Sequence, residues 1–156
     1  MEIELRRTDS SDLDFQKLVA ELDADLAIRD GEDHAFYAQF NKIDQIKNVV
    51  LVFFDKKAVG CGAFKKYSET TVEVKRMFTK PENRGKRIAS NVLRALENWA
   101  AELGFDHCVL ETGIHQPEAI ALYLKNGYAI TPNFGQYAGV ETSVCFAKII
   151  GQLAPS

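Results

Sequence analysis

A short basic loop at residues 84–89 is the part of the sequence best suited to chemistry. It reads Arg84-Gly85-Lys86-Arg87-Ile88-Ala89. An amphipathic helical pattern begins directly after it, so the unpaired N–H groups of a helix start stand beside three cations, an arrangement that favours phosphate oxygens. Cations at a helix N-terminus are opposed by the helix dipole, typically by about 0.3–1 kcal/mol each, and an anionic ligand would remove that conflict. The alternative is a solvated charge cluster at a helix end.

Two common nucleotide-binding motifs do not fit this loop. It lacks the Gly-Lys-Ser/Thr ending of a P-loop. It also follows a predicted antiparallel strand and lacks the spaced glycines of a dinucleotide-binding fold. Both alternatives are therefore disfavoured.

The bulk composition limits the classes of function. The chain has 156 residues, a net charge of -3 and 46% hydrophobic residues, which suits one globular domain over residues 1–156. This acidic balance lacks the basic field that nucleic-acid binding uses. The longest apolar run, residues 49–54, is too short for a membrane span, and the N-terminus lacks a signal-peptide core. We therefore predict a cytoplasmic protein that binds neither nucleic acid nor membrane.

The three cysteines, Cys61, Cys108 and Cys145, are widely separated and lie in apolar, strand-like surroundings. Neither zinc-ligand spacing nor a disulfide framework is visible, so we predict reduced core residues. No cysteine has a visible partner that would activate it as a nucleophile. The sequence therefore predicts neither a metal site nor a cysteine acyl-enzyme.

The elements around the loop alternate between strands and helices. Helical spacing of apolar residues predicts a first helix with one buried face, formed by Phe15, Leu18, Val19, Leu22 and Leu26. The predicted strands cover residues 2–8, 46–54, 58–66, 71–79, 107–111, 128–131 and 142–149, and further helices start at 88 and 116. The long connection between 107–111 and 128–131 predicts that these two strands pair in parallel. Residues 29–44 are irregular and suggest a short helix or a lid.

Two segments resemble the GNAT acetyltransferase superfamily. The first comprises Lys75-Arg76-Met77-Phe78-Thr79, Pro81 and the loop at 84–89, which resemble the family's central strand and pyrophosphate loop. The second comprises Leu110-Glu111, Gln116, Ala119, Ala121-Leu122-Tyr123 and Asn126-Gly127-Tyr128. The family loop follows the pattern Gln/Arg-x-x-Gly-x-Gly/Ala, which Arg84 and Ala89 match, whereas Arg87 stands where glycine is usual. Gln116 replaces the commoner asparagine.

The resemblance implies a fold and a cofactor. The implied fold class is α/β (α+β), with a twisted, mostly antiparallel sheet of about seven strands that splays near Phe78 and is flanked by helices. The implied cofactor is acetyl-coenzyme A (acetyl-CoA). Its thioester and pantetheine would contact Met77, Phe78 and Thr79. The remaining implied contacts, including the pyrophosphate site, are Arg84, Gly85, Lys86, Arg87, Ile88, Ala89, Ser90 and Gln116. We further hypothesise that the Arg87 guanidinium turns toward the phosphates, a charged contact worth about 1.5–3 kcal/mol.

Acyl transfer to an amine needs one proton removed from the nitrogen and one delivered to the departing thiolate. By resemblance, Tyr123 is the general acid; the alternative is a tyrosine that packs a helix on the sheet. Glu111 and Glu73 are the leading general bases and His115 is the third, although both carboxylates could equally be solvated strand-end charges. A lysine-like amine is neutral about once in 2,500 molecules at pH 7, so a base or desolvation must offset about 4.6 kcal/mol.

The acceptor is predicted to bind between the two connections most free to vary, residues 29–44 and 132–141. Its predicted lining residues are Arg76, His34, Tyr37 and Tyr137. A guanidinium inside a strand would suit a substrate carboxylate, or would form a salt bridge with Glu73 or another neighbour.

The resemblance implies an N-acetyltransferase that acts on a primary amine of a small metabolite, by direct attack in a ternary complex. Two alternatives stay open: a protein N-terminal or lysine acetyltransferase, and a non-catalytic sensor of acyl-CoA. Dimers are common in the family, so a homodimer is compatible with the resemblance, but no segment of the sequence marks an interface.

Overall fold

The computed structural model describes residues 3–30 and 46–151. Its strands are β1 (Ile3–Thr8), β2 (Asn48–Phe54), β3 (Lys57–Lys66), β4 (Thr71–Thr79), β5 (His107–Gly113), β6 (Ala129–Thr131) and β7 (Ser143–Ile149). Its helices are α1 (Leu13–Asp30), α2 (Ile88–Glu102) and α3 (Pro117–Lys125), with 3-10 turns at Pro81–Asn83 and Gly135–Tyr137. Within these two ranges, no helix combines the length and apolar character needed to cross a bilayer.

The strands form one mixed sheet in the order β1-β2-β3-β4-β5-β7-β6. Among the strands of the described ranges, β4 and β5 pair in parallel and the other neighbours pair antiparallel. The predicted architecture, a mostly antiparallel sheet of seven strands flanked by helices, is therefore confirmed.

The predicted parallel pairing of residues 107–111 with 128–131 is wrong. These segments are β5 and β6, and β7 lies between them, antiparallel to both. Burial explains the order, because β7 carries the fully buried Cys145 and Phe146 whereas β6 has three residues, two of them exposed. A short exposed strand suits a sheet edge, and the interior position suits a strand that is apolar on both faces.

Helices cover both faces of the sheet. On one face, α2 packs Val92 and Leu96 against Val50 and Val52 of β2. On the other, α1 packs its predicted apolar face against further sheet residues; this second core includes Phe15, Leu18, Val19, Leu22, Val49, Leu51, Cys61 and Ala63. Successive residues of a strand point to opposite faces, so β2 supplies both cores and is continuously apolar in sequence.

A β-bulge redirects the end of β4. Arg76 and Met77 stand opposite Gly62 alone, where the register between β3 and β4 shifts. Arg76 takes the left-handed backbone conformation there, with a φ of 61°. Gly62 provides the space, because a Cβ on it would lie 2.5 Å from Met77 Sδ and 2.7 Å from Cγ1 of Val92. The bulge therefore depends on close contact between β3, β4 and α2.

Strands β4 and β5 separate after a short parallel ladder. Their pairing runs from Thr71 opposite His107 to Glu73 opposite Val109. β4 nevertheless continues to Thr79 and β5 to Gly113. The sheet thus splays at the carboxyl ends of two parallel strands, which is where open α/β sheets hold their ligands.

Candidate functional site

Two cavities open into the gap between the ends of β4 and β5. The larger has a volume of about 530 Å³ and extends toward the start of α2, whereas the smaller, about 110 Å³, lies against the middle of β4. Their walls share Leu22, Met77, Gln116, Ala119 and Tyr123. Ligands in the two cavities would therefore meet at Met77 and Tyr123.

The larger cavity is built from the segment that the sequence predicted for a phosphate-bearing ligand. Its walls include these predicted residues: Met77, Phe78, Thr79, Arg84, Gly85, Arg87, Ile88, Ala89, Ser90 and Gln116. Lys86 is not in the wall, because its ammonium lies 4.8 Å from the centre of the Phe54 ring. The structure thus brings together the predicted cofactor-binding residues apart from Lys86.

The start of α2 presents backbone donors to this cavity. Arg87 is the N-cap residue, and its side chain makes no capping hydrogen bond. The first amides of a helix have no partner within it, and the dipole makes this end positive, so an anion is favoured here. Asn126 Nδ2 donates to the Ser90 hydroxyl at 3.1 Å and thereby ties the end of α3 to this turn.

Arg87 has a backbone conformation that favours glycine, the residue that the resemblance implies at this position. Arg87 takes a φ of 63°, in the left-handed region, as does Gly85 with a φ of 83°. This conformation costs a residue with a Cβ roughly 1–2 kcal/mol. The Arg87 side chain is exposed and forms part of the cavity wall.

Arg84 turns back toward β4. Its Nε donates to the carbonyl oxygen of Thr79 at 3.1 Å, and its guanidinium lies 5.9 Å from the centre of the Phe78 ring. The Thr79 hydroxyl is buried and finds no hydrogen-bond partner within residues 3–30 and 46–151. Buried polar groups are normally paired, so this hydroxyl is a position where a ligand could supply the partner.

The smaller cavity carries charged residues of β4. Glu73 is buried, and its Oε2 accepts a hydrogen bond from the Tyr137 hydroxyl at 3.3 Å and lies 3.9 Å from Lys75 Nζ. Burial lowers the pKa of the Lys75 ammonium, and the negative charge of Glu73 opposes that shift. Burial, together with the charges of Glu73 and Glu111, raises the pKa of Tyr137, so its phenol stays protonated. The predicted Tyr137 and Glu73 therefore belong to one cluster.

Glu111 faces the same cavity from β5. It is half-buried, and its Oε2 accepts a hydrogen bond from the Ser143 hydroxyl at 2.7 Å. His115 is exposed and lies outside both cavity walls. The structure therefore groups Glu73 and Glu111 as candidate bases and leaves His115 apart.

Tyr123 stands at the junction of the two cavities. It is buried, and its ring centre lies 6.0 Å from that of Tyr128 and 5.6 Å from that of Phe146. Burial, and to a smaller degree the charge of Glu111, raises the pKa of Tyr123. Tyr123 thus packs α3 on the sheet and also lines the site with a protonated phenol, so both interpretations from the sequence apply to its position.

Arg76 forms part of the wall of the smaller cavity and is buried. Its Nη1 donates to Asp23 Oδ1 of α1 at 3.0 Å. The salt bridge considered from the sequence thus exists with another neighbour and not with Glu73. The other predicted substrate residues, His34 and Tyr37, lie outside the described residues.

The cysteines are free, buried and protonated. Burial raises the pKa of Cys61 and Cys108 to about 12 and that of Cys145 to about 11. Over the described ranges, no three His, Cys, Asp or Glu side chains are grouped so that they could hold a metal ion.

Comparison with known proteins supplies the family. The model of the Acetyltransferase (GNAT) family matches residues 15–128. The chain belongs to the GNAT acetyltransferase family. A solved structure from Klebsiella pneumoniae, assigned as an acyl-CoA N-acyltransferase, is 30% identical to this GNAT protein with a TM-score of 0.80, covering 95% of this chain and 97% of that one. The PaiA N-acetyltransferase of Thermoplasma acidophilum, solved with coenzyme A, shares the fold at 19% identity and a TM-score of 0.68, covering 96% and 99%.

A curated relative matches part of this GNAT acetyltransferase. The IAA acetyltransferase of Azospirillum brasilense is 44% identical over 91 residues, which is 58% of this chain. The match covers 60% of that relative, so the chain spans less than two thirds of its length.

Sequence reasoning missed two residues that position the site, Asp23 and Ser143. Asp23 directly follows Leu22, which belongs to the buried face of α1. The sequence indicated this residue only as an acid at the border of an apolar helix face. Ser143 reaches Glu111 because β7 lies beside β5, and the predicted strand order did not include that contact.

Proposed function

We propose that this GNAT acetyltransferase transfers the acetyl group of acetyl-CoA to the primary amine of a small metabolite, by direct attack in a ternary complex. The observation that carries the proposal is the meeting of two different cavities at Met77 and Tyr123. One cavity has a helix start that suits phosphates, and the other has carboxylates that suit an amine. The small volume of the second, about 110 Å³, favours a metabolite over a protein segment.

Acetyl-CoA fits the larger cavity on three grounds. The unpaired amides at the start of α2 and the cations Arg87 and Lys125 line it, and the buried Thr79 hydroxyl lacks a partner in the described part of the chain. Ile88, Ala89 and Ser90 would hold the pyrophosphate through their amides, and residues 77–79 would hold the pantetheine. When bound, acetyl-CoA supplies the acetyl group as a thioester and departs as the thiol.

The two proton transfers have candidate groups in the smaller cavity and at the junction of the two cavities. Glu73 Oε2 and the carboxylate of Glu111 would accept the proton of the attacking amine, directly or through water. The Tyr123 phenol would deliver a proton to the departing sulfur, because burial keeps that phenol protonated. Desolvation in the smaller cavity would also favour the neutral amine, in the same direction as it lowers the pKa of Lys75.

Direct attack is favoured over a cysteine acyl-enzyme. A thiol must ionise to act as a nucleophile, and burial raises the pKa of each cysteine to between about 11 and about 12. The walls of the two cavities contain no cysteine within the described ranges.

The test combines calorimetric titration of coenzyme A with a thiol-release assay, using acetyl-CoA against amino acids, polyamines and short peptides. We expect coenzyme A to bind and at least one small amine to be acetylated. Glu73→Gln and Glu111→Gln should each keep the affinity for coenzyme A, and the variant that removes the base should lower kcat about 10²- to 10⁴-fold. Glu69→Gln is the matched control, because Glu69 is exposed and outside both cavities.

Each other outcome has a distinct meaning. Turnover of peptides but not of small amines would favour a protein acetyltransferase. Binding of coenzyme A without any turnover would favour the sensor function. No binding of coenzyme A would contradict the assignment of the larger cavity.

A further inference from the structure

Two buried hydrogen-bond donors of Arg76 have no partner among the described residues. Its side chain is 2% exposed, and Asp23 Oδ1 accepts a hydrogen bond from Nη1 at 3.0 Å. Nε and Nη2 are buried and have no hydrogen-bond partner within the ranges that the structure describes. A buried guanidinium with two unpaired nitrogens is unfavourable unless a partner is supplied, so these donors point to a ligand.

The unpaired nitrogens form one edge of the guanidinium. Nη2 lies trans to Cδ across the Nε–Cζ bond, so the N–H bond of Nε and one N–H bond of Nη2 run parallel to each other. This edge matches the two oxygens of a carboxylate, which is the arrangement of a bidentate arginine–carboxylate pair. Because Asp23 occupies Nη1, it anchors Arg76 to α1 and leaves the bidentate edge complete.

The position of Arg76 relates this edge to the proposed amine site. The bulge places Arg76 in the left-handed region, and the residue forms part of the wall of the smaller cavity. Glu73, three residues before Arg76 on β4, and Glu111 line the same cavity. The cavity therefore combines a guanidinium for an anion with carboxylates for an amine, as a zwitterionic ligand requires.

We infer that Arg76 binds a carboxylate of the acceptor through Nε and Nη2, and that the acceptor is an amino acid or another amine that carries a carboxylate. This inference rests on the proposed function, because it assigns the smaller cavity to the acceptor. If Arg76 has only a structural role, it joins α1 to β4 through Asp23, and the presence of a carboxylate on the acceptor makes no difference.

The first experiment compares amino acids with the amines formed by their decarboxylation. The pairs are glycine and methylamine, β-alanine and ethylamine, ornithine and putrescine, and lysine and cadaverine, each tested by thiol release from acetyl-CoA. We expect kcat/KM for the preferred amino acid to exceed that of its decarboxylated partner about 10- to 100-fold, which is the range for a charged bidentate pair. The methyl ester of that amino acid should behave like the decarboxylated amine.

Variants assign this preference to the bidentate edge. Arg76→Lys keeps a positive charge beside Asp23 but lacks two parallel donors, so the preference should fall to about threefold or less, mainly through KM of the amino acid. Affinity for coenzyme A should be unchanged, because Arg76 is not in the wall of the larger cavity, and activity toward the decarboxylated amine should fall less than activity toward the amino acid. Arg94→Lys on the exposed side of α2 is the control. Unchanged preference in Arg76→Lys would overturn the inference.

A second readout does not depend on turnover. In ¹⁵N-labelled protein saturated with coenzyme A, the Arg76 Nε–H resonance is identified by its loss in Arg76→Lys and is followed during titration with each pair. It should shift with the amino acid and not with the decarboxylated amine. A shift without any acetylation would support the carboxylate site and contradict acetyl transfer. Acetylation with no carboxylate preference and no shift would overturn this inference and leave acetyl transfer standing.

Discussion

At the scale of single residues, Arg87 has an unfavourable backbone conformation and a positively charged side chain at the candidate phosphate site. Its φ of 63° is unfavourable for a side chain, and its guanidinium stands at the wall of the larger cavity. We predict that Arg87→Gly and Arg87→Ala both weaken coenzyme A binding about 10- to 100-fold, because both remove the charged contact. Arg87→Gly should be more stable than Arg87→Ala by about 1 kcal/mol in urea unfolding, because glycine relieves the left-handed strain.

Calorimetry with coenzyme A measures the loss of the charged contact, and urea unfolding measures the backbone strain separately. Lys86→Ala is the matched control, because that cation contacts Phe54 outside the cavity and should change the affinity little. Equal coenzyme A affinity in wild type and both Arg87 variants would show that the guanidinium does not contact the phosphates.

Tyr123 is the second residue whose role can be isolated. Tyr123→Phe keeps the ring that packs near Tyr128 and Phe146 and removes the hydroxyl. We predict a loss in kcat of about 10²- to 10⁴-fold with unchanged affinity for coenzyme A, as expected for removal of a general acid. Tyr67→Phe, on an exposed tyrosine outside both cavities, is the control. Full activity of Tyr123→Phe would show that Tyr123 packs α3 on the sheet and is not the general acid.

The sequence predicted most residues of the two cavities, but not their partners. The resemblance of the two motifs to GNAT acetyltransferases pointed to residues 77–79, 84–90, Gln116 and Tyr123, because these residues lie in or beside recognisable turns and helix starts. The Arg76–Asp23 pair joins residues 53 positions apart in sequence. Such a contact depends on how α1 lies on the sheet, which local periodicity does not specify.

At the scale of elements, the bulge in β4 requires Gly62. A Cβ at this position would lie 2.5 Å from Met77 Sδ and 2.7 Å from Cγ1 of Val92. Met77 can change its rotamer, but Val92 is β-branched and stiff, so the clash would push α2 away from the sheet. We predict that Gly62→Ala lowers the free energy of unfolding by about 1–3 kcal/mol, the usual cost of overpacking, and weakens coenzyme A binding because the start of α2 moves with its helix. Urea unfolding and calorimetry measure the two effects.

Gly139→Ala is the comparison for this prediction. An added Cβ at Gly139 meets nothing within 4 Å, although its φ of 78° is unfavourable for alanine. It should therefore lower stability through backbone strain and leave coenzyme A binding unchanged. If Gly62→Ala proved as stable as wild type, the close packing of α2 on the bulge would be contradicted.

The elements themselves were predictable, and their order in the sheet was less so. Alternating and continuous apolar runs identified the strands, and helical spacing identified α1 and α2. The error concerned β6 and β7, because pairing order depends on the burial of entire strands and not on the length of a connection. The bulge at Arg76 also carried no sequence signal, since a non-glycine residue rarely adopts its φ of 61°.

At the scale of the whole molecule, buried thiols make stability depend on pH. Burial raises the pKa of Cys61 and Cys108 from the ordinary value of 9.0 to about 12 in the folded state. Between these values the unfolded chain releases protons that the folded chain keeps, so stability is fully present below about pH 9 and falls as pH rises. We predict a decline of about 1.4 kcal/mol per pH unit for each such thiol, measured by urea unfolding from pH 8 to pH 11.

A cysteine variant tests the source of this dependence. Cys108→Ala removes one titrating thiol. The free energy of unfolding should therefore fall less steeply with pH, by about 1.4 kcal/mol per pH unit, whatever the variant's stability at pH 8. Burial also raises the pKa of Tyr123, Tyr128 and Tyr137, which adds to the decline above about pH 10. Stability that does not change up to pH 11 would contradict the burial of these groups.

The short ladder between β4 and β5 also affects how the two sides of the molecule are joined. Three residue pairs, from Thr71–His107 to Glu73–Val109, connect strands β1–β4 to β5, β7 and β6. Beyond them, β4 and β5 continue without pairing to each other, so the edge amides and carbonyls of the two strands face the gap between them. A ligand with amide groups of its own could bridge this gap as a surrogate strand. A bound ligand would then hold the two halves of the sheet together and raise the free energy of unfolding.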